Sequence, residues 1–178
     1  FYPGPQGGRA IARLLMGETE PVGRLCVSLP DTPGQLPVYY NGKDSYRPGA
    51  YCDRGRPKYG FGSGLSGTQF AFAPLEIPTK EKRQLVLRVT NTGSRPGWTV
   101  PQLYLHRTQG ITTSRIRQLC GFVKGRLEPQ ESRVFAIPIP GRSLVQWDPE
   151  ERPVIPGGKI EWFLCDSGKD CLTGNFYL

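Results

Sequence analysis

The sequence predicts a mainly β protein: an immunoglobulin-like sandwich over Thr68–Leu178, preceded by a small α/β piece. Three observations carry this reading. From Thr68 onward, strand patterns separated by turns follow one another at the spacing of a sandwich. Their span of 111 residues is close to the ~100 of an immunoglobulin-like domain. The 23 glycines and 18 prolines call for many turns and few helices.

Taken in order, FYPGPQGG opens as a loop and RAIARLLMGE follows as a short helix. Ala10, Ile11, Leu14 and Leu15 share one face of it, and Gly17 supplies a left-handed stop. The glycines ahead of this helix lack the Lys-Ser/Thr of a phosphate-binding loop and the spacing of a dinucleotide fingerprint. RLCVSLP (24–30) reads as a short strand of the continuous apolar kind found in buried parallel sheets. One helix and one strand cannot bury their apolar faces on each other, so this piece reads as the tail of a larger α/β layer. Residues 34–57 form a Tyr-, Gly- and Pro-rich loop, of a length that is usually functional or covers a neighbouring domain.

The joint between the two parts is KYGFGSGLSGTQF, with glycine at 60, 62, 64 and 67. So many glycines are too costly in backbone entropy for a helix or strand interior and suit a chain running close to other backbone. The strands expected after it are 69–77, 83–93, 99–108, 117–127 and 132–140, a short piece near 151–155, then 158–166 and 171–178. In the third of these, Gln102, Tyr104 and His106 alternate with Leu103 and Leu105.

The formal charge of +8 raises the question of an acidic partner. The basic residues are spread singly, with no run of five to eight, which argues against nucleic acid and for a solvated surface. No apolar run is long enough to span a bilayer. The chain starts at Phe1 without an initiating Met and reads as a piece of something longer. Five cysteines and one histidine fit no zinc spacing, so no metal site or cofactor is expected. Cys26 and Cys120 sit in apolar runs and read as buried thiols. Cys165 and Cys171 flank DSGKD between two strands. Free thiols, as in a cytoplasmic protein, are the preferred reading there, and a disulfide across the hairpin is the alternative.

Several motifs resemble the C-terminal portion of family 3 glycoside hydrolases, the β-glucosidase and β-xylosidase type. FYPGPQGG stands where that family has an aromatic-Tyr-Pro-Gly-Gln-Glu-Gly-Gly loop, with Pro5 and Gln6 as departures. EPVGRLC (20–26) stands for its Asn-Pro-Ser-Gly-Arg-Leu-Pro. QLPVYYN (35–41) is unchanged, and FGSGLSGTQF (61–70) is similar to its Phe-Gly-Tyr-Gly-Leu-Ser-Tyr-Thr-x-Phe. The likeness continues through VTNTGSRPGWTVPQLYLH (89–106), RQLCGFVKGRLEPQES (117–132) and WDPEERPVIPGGKIEWFL (147–164). It implies a fibronectin type III-like domain over 68–178, a linker and joint over 31–67, and the end of an α/β sandwich domain over 1–30.

The resemblance also implies what chemistry to expect. Glycoside hydrolysis needs two carboxyl groups across a sugar-sized cleft. The family's nucleophile is an Asp on a barrel, and its acid/base is usually a Glu upstream in the α/β domain. Neither motif occurs here, so no catalytic residue is assigned and the chain reads as a structural part, non-catalytic alone. The expected partners are the catalytic barrel and α/β domain, on the same or a separate chain. Tyr40, Tyr46 and Arg47 are candidates to stack on and hydrogen-bond a sugar, against the alternative that the loop's tyrosines pack on other domains. Trp98, Trp147 and Trp162 read as core or loop-covering residues, and His106 as a surface or satisfied-core histidine. The alternative function is a free-standing module that binds carbohydrate or a protein through the sandwich or the Tyr-rich loop.

Overall fold

The computed structural model describes residues 2–43 and 57–178. Helix α1 spans Gly7–Leu15 and is closed by Gly17 at φ +73°. It starts two residues before the expected RAIARLLMGE, and at that start Gly7 packs on Pro3 so closely that a Cβ would lie 2.5 Å from the proline Cγ. No helix among the described residues is long and apolar enough to cross a membrane.

Residues 24–30 form no strand. They contribute one antiparallel bridge, Leu29 to Tyr59, instead of a rung of parallel sheet. A buried parallel strand needs neighbours on both edges, and this segment has only the glycine joint beside it. Cys26 is accordingly exposed, whereas Cys120 is partly buried and its thiol is pushed up to about 12 by burial.

The strands after the joint are β1 Phe70–Glu76, β2 Gln84–Asn91, β3 Gly97–Thr99, β4 Gln102–Arg107, β5 Gln118–Phe122 and β6 Gly125–Leu127. They continue with β7 Ser132–Pro138, β8 Gln146–Trp147, β9 Pro153–Val154, β10 Lys159–Asp166 and β11 Lys169–Tyr177. One sheet has the order β1-β2-β7 and the facing sheet β11-β10-β4-β5, all antiparallel. This is the immunoglobulin-like sandwich the strand spacing predicts. The stretch 117–127 divides between two pairings, β5 on β4 and β6 on β3, with Val123 N–H bonded to the Pro101 carbonyl between them.

The core lies between the sheets. Leu85, Leu87 and Val89 of β2 meet Leu103 and Leu105 of β4, Ile137 of β7, and Ile160, Trp162 and Leu164 of β10. In β2 the inward positions are fully buried and the others are not, so the apparently continuous apolar run alternates after all. Gly174 of β11 gives the Trp162 indole its space: a Cβ there would sit 2.5 Å from the ring.

Strand β4 departs from the expected alternation. Gln102 and Tyr104 point away from the core yet are 4% and 5% exposed. A sandwich strand buried on both faces needs a third layer, and that layer is the joint.

Candidate functional site

The joint is first tied to the segment preceding it. Tyr59 and Leu29 exchange backbone hydrogen bonds of 3.3 and 2.8 Å. Phe61 N–H donates to Ser28 Oγ (3.0 Å), Gly62 N–H to the Leu25 carbonyl (2.8 Å) and Leu25 N–H to the Ser63 carbonyl (2.9 Å). Two irregular chains thus satisfy each other's backbone, as buried backbone must.

The pair then docks on the outer face of β4 and β10. Gln102 Nε2 donates to the Gly62 carbonyl at 3.0 Å, and the Tyr104 hydroxyl donates to Gln102 Oε1 at 2.6 Å. Burial, more than any neighbouring charge, holds the Tyr104 phenol well above its usual range, so it stays a donor. Gly62 sits at φ +81°, and a Cβ there would be 2.5 Å from both Gln102 Oε1 and the Tyr104 hydroxyl. Only glycine gives both that backbone and that clearance.

Charge fixes the orientation. Arg24 Nη2 donates to Asp166 Oδ1 at 2.9 Å with both side chains 7% exposed, and the Thr99 hydroxyl donates to the other carboxylate oxygen at 3.0 Å. Glu20 accepts the Trp98 N–H with both oxygens, at 3.0 and 3.2 Å. At the start of β1, the Thr68 hydroxyl donates to Asn91 Oδ1 at 2.8 Å, and Asn91 Nδ2 donates to the Arg95 and Leu127 carbonyls.

Of the predicted sugar-contacting residues, Tyr40 stacks on Phe61 with ring centroids 4.0 Å apart and planes 13° from parallel. Phe61 in turn meets Tyr104 edge-on at 6.4 Å. Tyr40 therefore packs on the joint of its own chain. Tyr46 and Arg47 lie outside the described residues.

Cys165 and Cys171 are both free thiols. The β10–β11 register shifts at Leu164/Cys165, so Cys165 faces Asp170 and not Cys171. Its thiol donates to Asp170 Oδ1 at 2.8 Å, while Arg117 grips the same carboxylate with two 2.7 Å bonds and lies 4.1 Å over the Phe163 ring. The Arg117 hydrogen bonds pull the Asp170 carboxyl below its usual range. His106 Nδ1 meets the Arg115 carbonyl at 2.8 Å and no nucleophile. Trp162 is core and Trp98 is partly buried under Lys124, but Trp147, also expected to be covered, is 59% exposed.

Five of the described carboxylates are committed to structural work: Glu18 to Arg13, Glu20 to the Trp98 amide, Asp148 to Arg152, Asp166 to Arg24 and Asp170 to Arg117. Among the described residues, no cluster of His, Cys, Asp or Glu is placed to hold a metal ion.

Known proteins match this arrangement on both sides of the joint. Residues 1–67 match the family described as glycosyl hydrolase family 3 C-terminal domain, and residues 99–167 match the fibronectin type III-like domain. The chain belongs to the C-terminal region of glycosyl hydrolase family 3. A periplasmic β-glucosidase from Salmonella typhimurium is 34% identical over 194 residues, which covers 100% of this chain and 25% of that protein. A putative β-xylosidase from Formosa agariphila is 28% identical, covering 97% of this chain and 24% of its own. A solved β-glucosidase from Erythrobacter marinus superposes with a TM-score of 0.86 at 33% identity, covering 100% of this chain and 24% of its own. The Listeria innocua β-glucosidase solved in complex with glucose gives 0.86 at 26% identity, covering 99% and 27%. This family 3 chain therefore spans about a quarter of the length of its relatives, in which the same region sits with further domains.

Proposed function

We propose that this family 3 segment serves an enzyme that hydrolyses β-glycosidic bonds, holding its catalytic barrel and α/β domain in place. The observation that carries the reading is the unpartnered face of α1. Ile11, Leu14 and Leu15 are 51%, 42% and 82% exposed on a helix whose neighbours in this chain cover only Gly7. A free-standing module would bury these side chains within itself.

In this reading residues 1–30 complete an α/β layer, 31–67 are the linker and joint, and 68–178 are the sandwich that anchors them. The buried Arg24–Asp166 pair and the Gly62 contact make the anchoring stiff, so motion of the sandwich is transmitted to α1. Tyr40 with Tyr46 and Arg47 contacts sugar in the assembled enzyme.

Aryl β-glucosides and β-xylosides offered to the chain alone are the test. No turnover above buffer is expected, with activity present in the full-length protein. Turnover by the chain alone that vanishes when one of its own carboxylates is replaced would overturn the reading.

A further inference from the structure

Away from the joint, a cleft of about 720 Å³ opens between the β4–β5 connection and the β7–β8 connection. That volume lies in the range of small-ligand sites, roughly 300–1,000 Å³. Among the described residues its lining includes four cations, Lys43, Arg107, Arg115 and Arg142, and no carboxylate.

The charges are arranged in a way that calls for an anion. Arg107 is 8% exposed at the floor, and among the described residues its guanidinium meets only carbonyls, Pro156 at 2.8 Å and Leu144 at 2.9 Å. A buried cation satisfied by dipoles alone keeps an uncompensated charge. Lys43 and Arg115 face each other across an isolated antiparallel bridge, and like charges directly opposite are destabilising. Arg115 donates to the Asn41 carbonyl, and neither it, Lys43 nor Arg142 has an acidic partner among the described residues. The rim is held open by Gln146, whose Oε1 accepts the Ile111 N–H at 2.9 Å.

The remaining lining suggests a sugar. Trp147, 59% exposed, offers an indole face, which matches the apolar face of a pyranose. Thr112, Thr113 and Ser114 add hydroxyls that donate or accept as a polyol requires. We propose that this cleft binds an acidic pyranoside, its carboxylate or sulfate held by Arg115, Lys43 and Arg142 and its ring on Trp147. Guanidinium groups suit both acid groups because their paired donors match two oxygens at once. The inference does not depend on the glycosidase reading, since β-glycoside turnover plays no part in it.

The test follows Trp147 fluorescence in the full-length protein, isolated by difference against Trp147→Phe. The probes are trigalacturonate, a sulfated galacto-oligosaccharide, neutral cellotriose and inorganic sulfate. Saturable change is expected with at least one acidic sugar, the tighter of the two identifying the acid group, and binding should weaken at high salt. Arg142→Glu should weaken it at least about tenfold and Arg142→Lys less than about threefold, as expected for reversal versus retention of the charge. No response to either acidic sugar, an equal response to cellotriose, or inorganic sulfate binding as tightly as the sugars would each overturn the proposal. If melting curves show Arg142→Glu unfolded, the salt dependence and the acidic-to-neutral ratio of the unsubstituted protein decide.

Discussion

Gly62 is the residue on which the joint turns, literally and energetically. Its φ of +81° costs an alanine about 1–2 kcal/mol before any contact is counted. The new methyl would also be driven into the buried Gln102–Tyr104 hydrogen bond and would displace it. Gly62→Ala should therefore lower stability by more than about 2 kcal/mol in urea unfolding, whereas Gly23→Ala, whose Cβ meets nothing, should be nearly silent. Asp170 makes a different prediction. Arg117 holds its folded carboxyl below the ordinary range, so its contribution is present at neutral pH and disappears as pH falls below about 4. Asp170→Asn should be less stable than the unsubstituted protein at neutral pH, with the gap closing on acidification. A gap that stays constant from neutral to acid pH would count against this assignment. The pair is partly exposed, so the effect is modest.

At the scale of elements, a buried ion pair ties the segment before the joint to the sandwich, beside the Glu20–Trp98 and Gly62–Gln102 hydrogen bonds. Arg24 and Asp166 are 142 residues apart in the chain and 7% exposed each. Arg24→Leu strands the Asp166 carboxylate with only neutral hydroxyls, those of Thr99 and Ser167, and should cost about 3 kcal/mol. Restoring part of that loss with Asp166→Asn in the same chain would show that the stranded charge, not lost packing, is the cause. Much of this was legible in the sequence and some was not. The eight strand segments were readable because inward positions repeat every second residue and turns separate them. The docking was announced by the four glycines, but its partner was not. Gln102 and Tyr104 look like solvent-facing positions, and only the joint lying over them turns that face into a second interior. The strand expected at 24–30 failed for the converse reason: its apolar run was real, but the sheet that would pair it is not among the described residues.

For the whole molecule, α1 is the part that does not belong to the globule it is attached to. Leu15 is 82% exposed, so Leu15→Asp should change the unfolding free energy of this chain by less than about 0.5 kcal/mol. On the proposed function, the same substitution in the full-length protein should reduce glycosidase activity and soluble yield together, because a charge would enter an apolar contact between domains. Equal, negligible effects in both settings would show that the helix face contacts nothing.

The amino-acid sequence by itself determined the sandwich, the joint and the family. Alternation, glycine spacing and local motifs are properties of neighbouring residues, and a linear reading captures them. Only the tertiary structure decided that Tyr40 rests on Phe61, that the Cys165 thiol hydrogen-bonds Asp170, and that four cations share a cleft with no acid beside them among the described residues. Each of those depends on which segments, tens of residues apart, are brought within a few ångströms, and chain order carries no record of that distance.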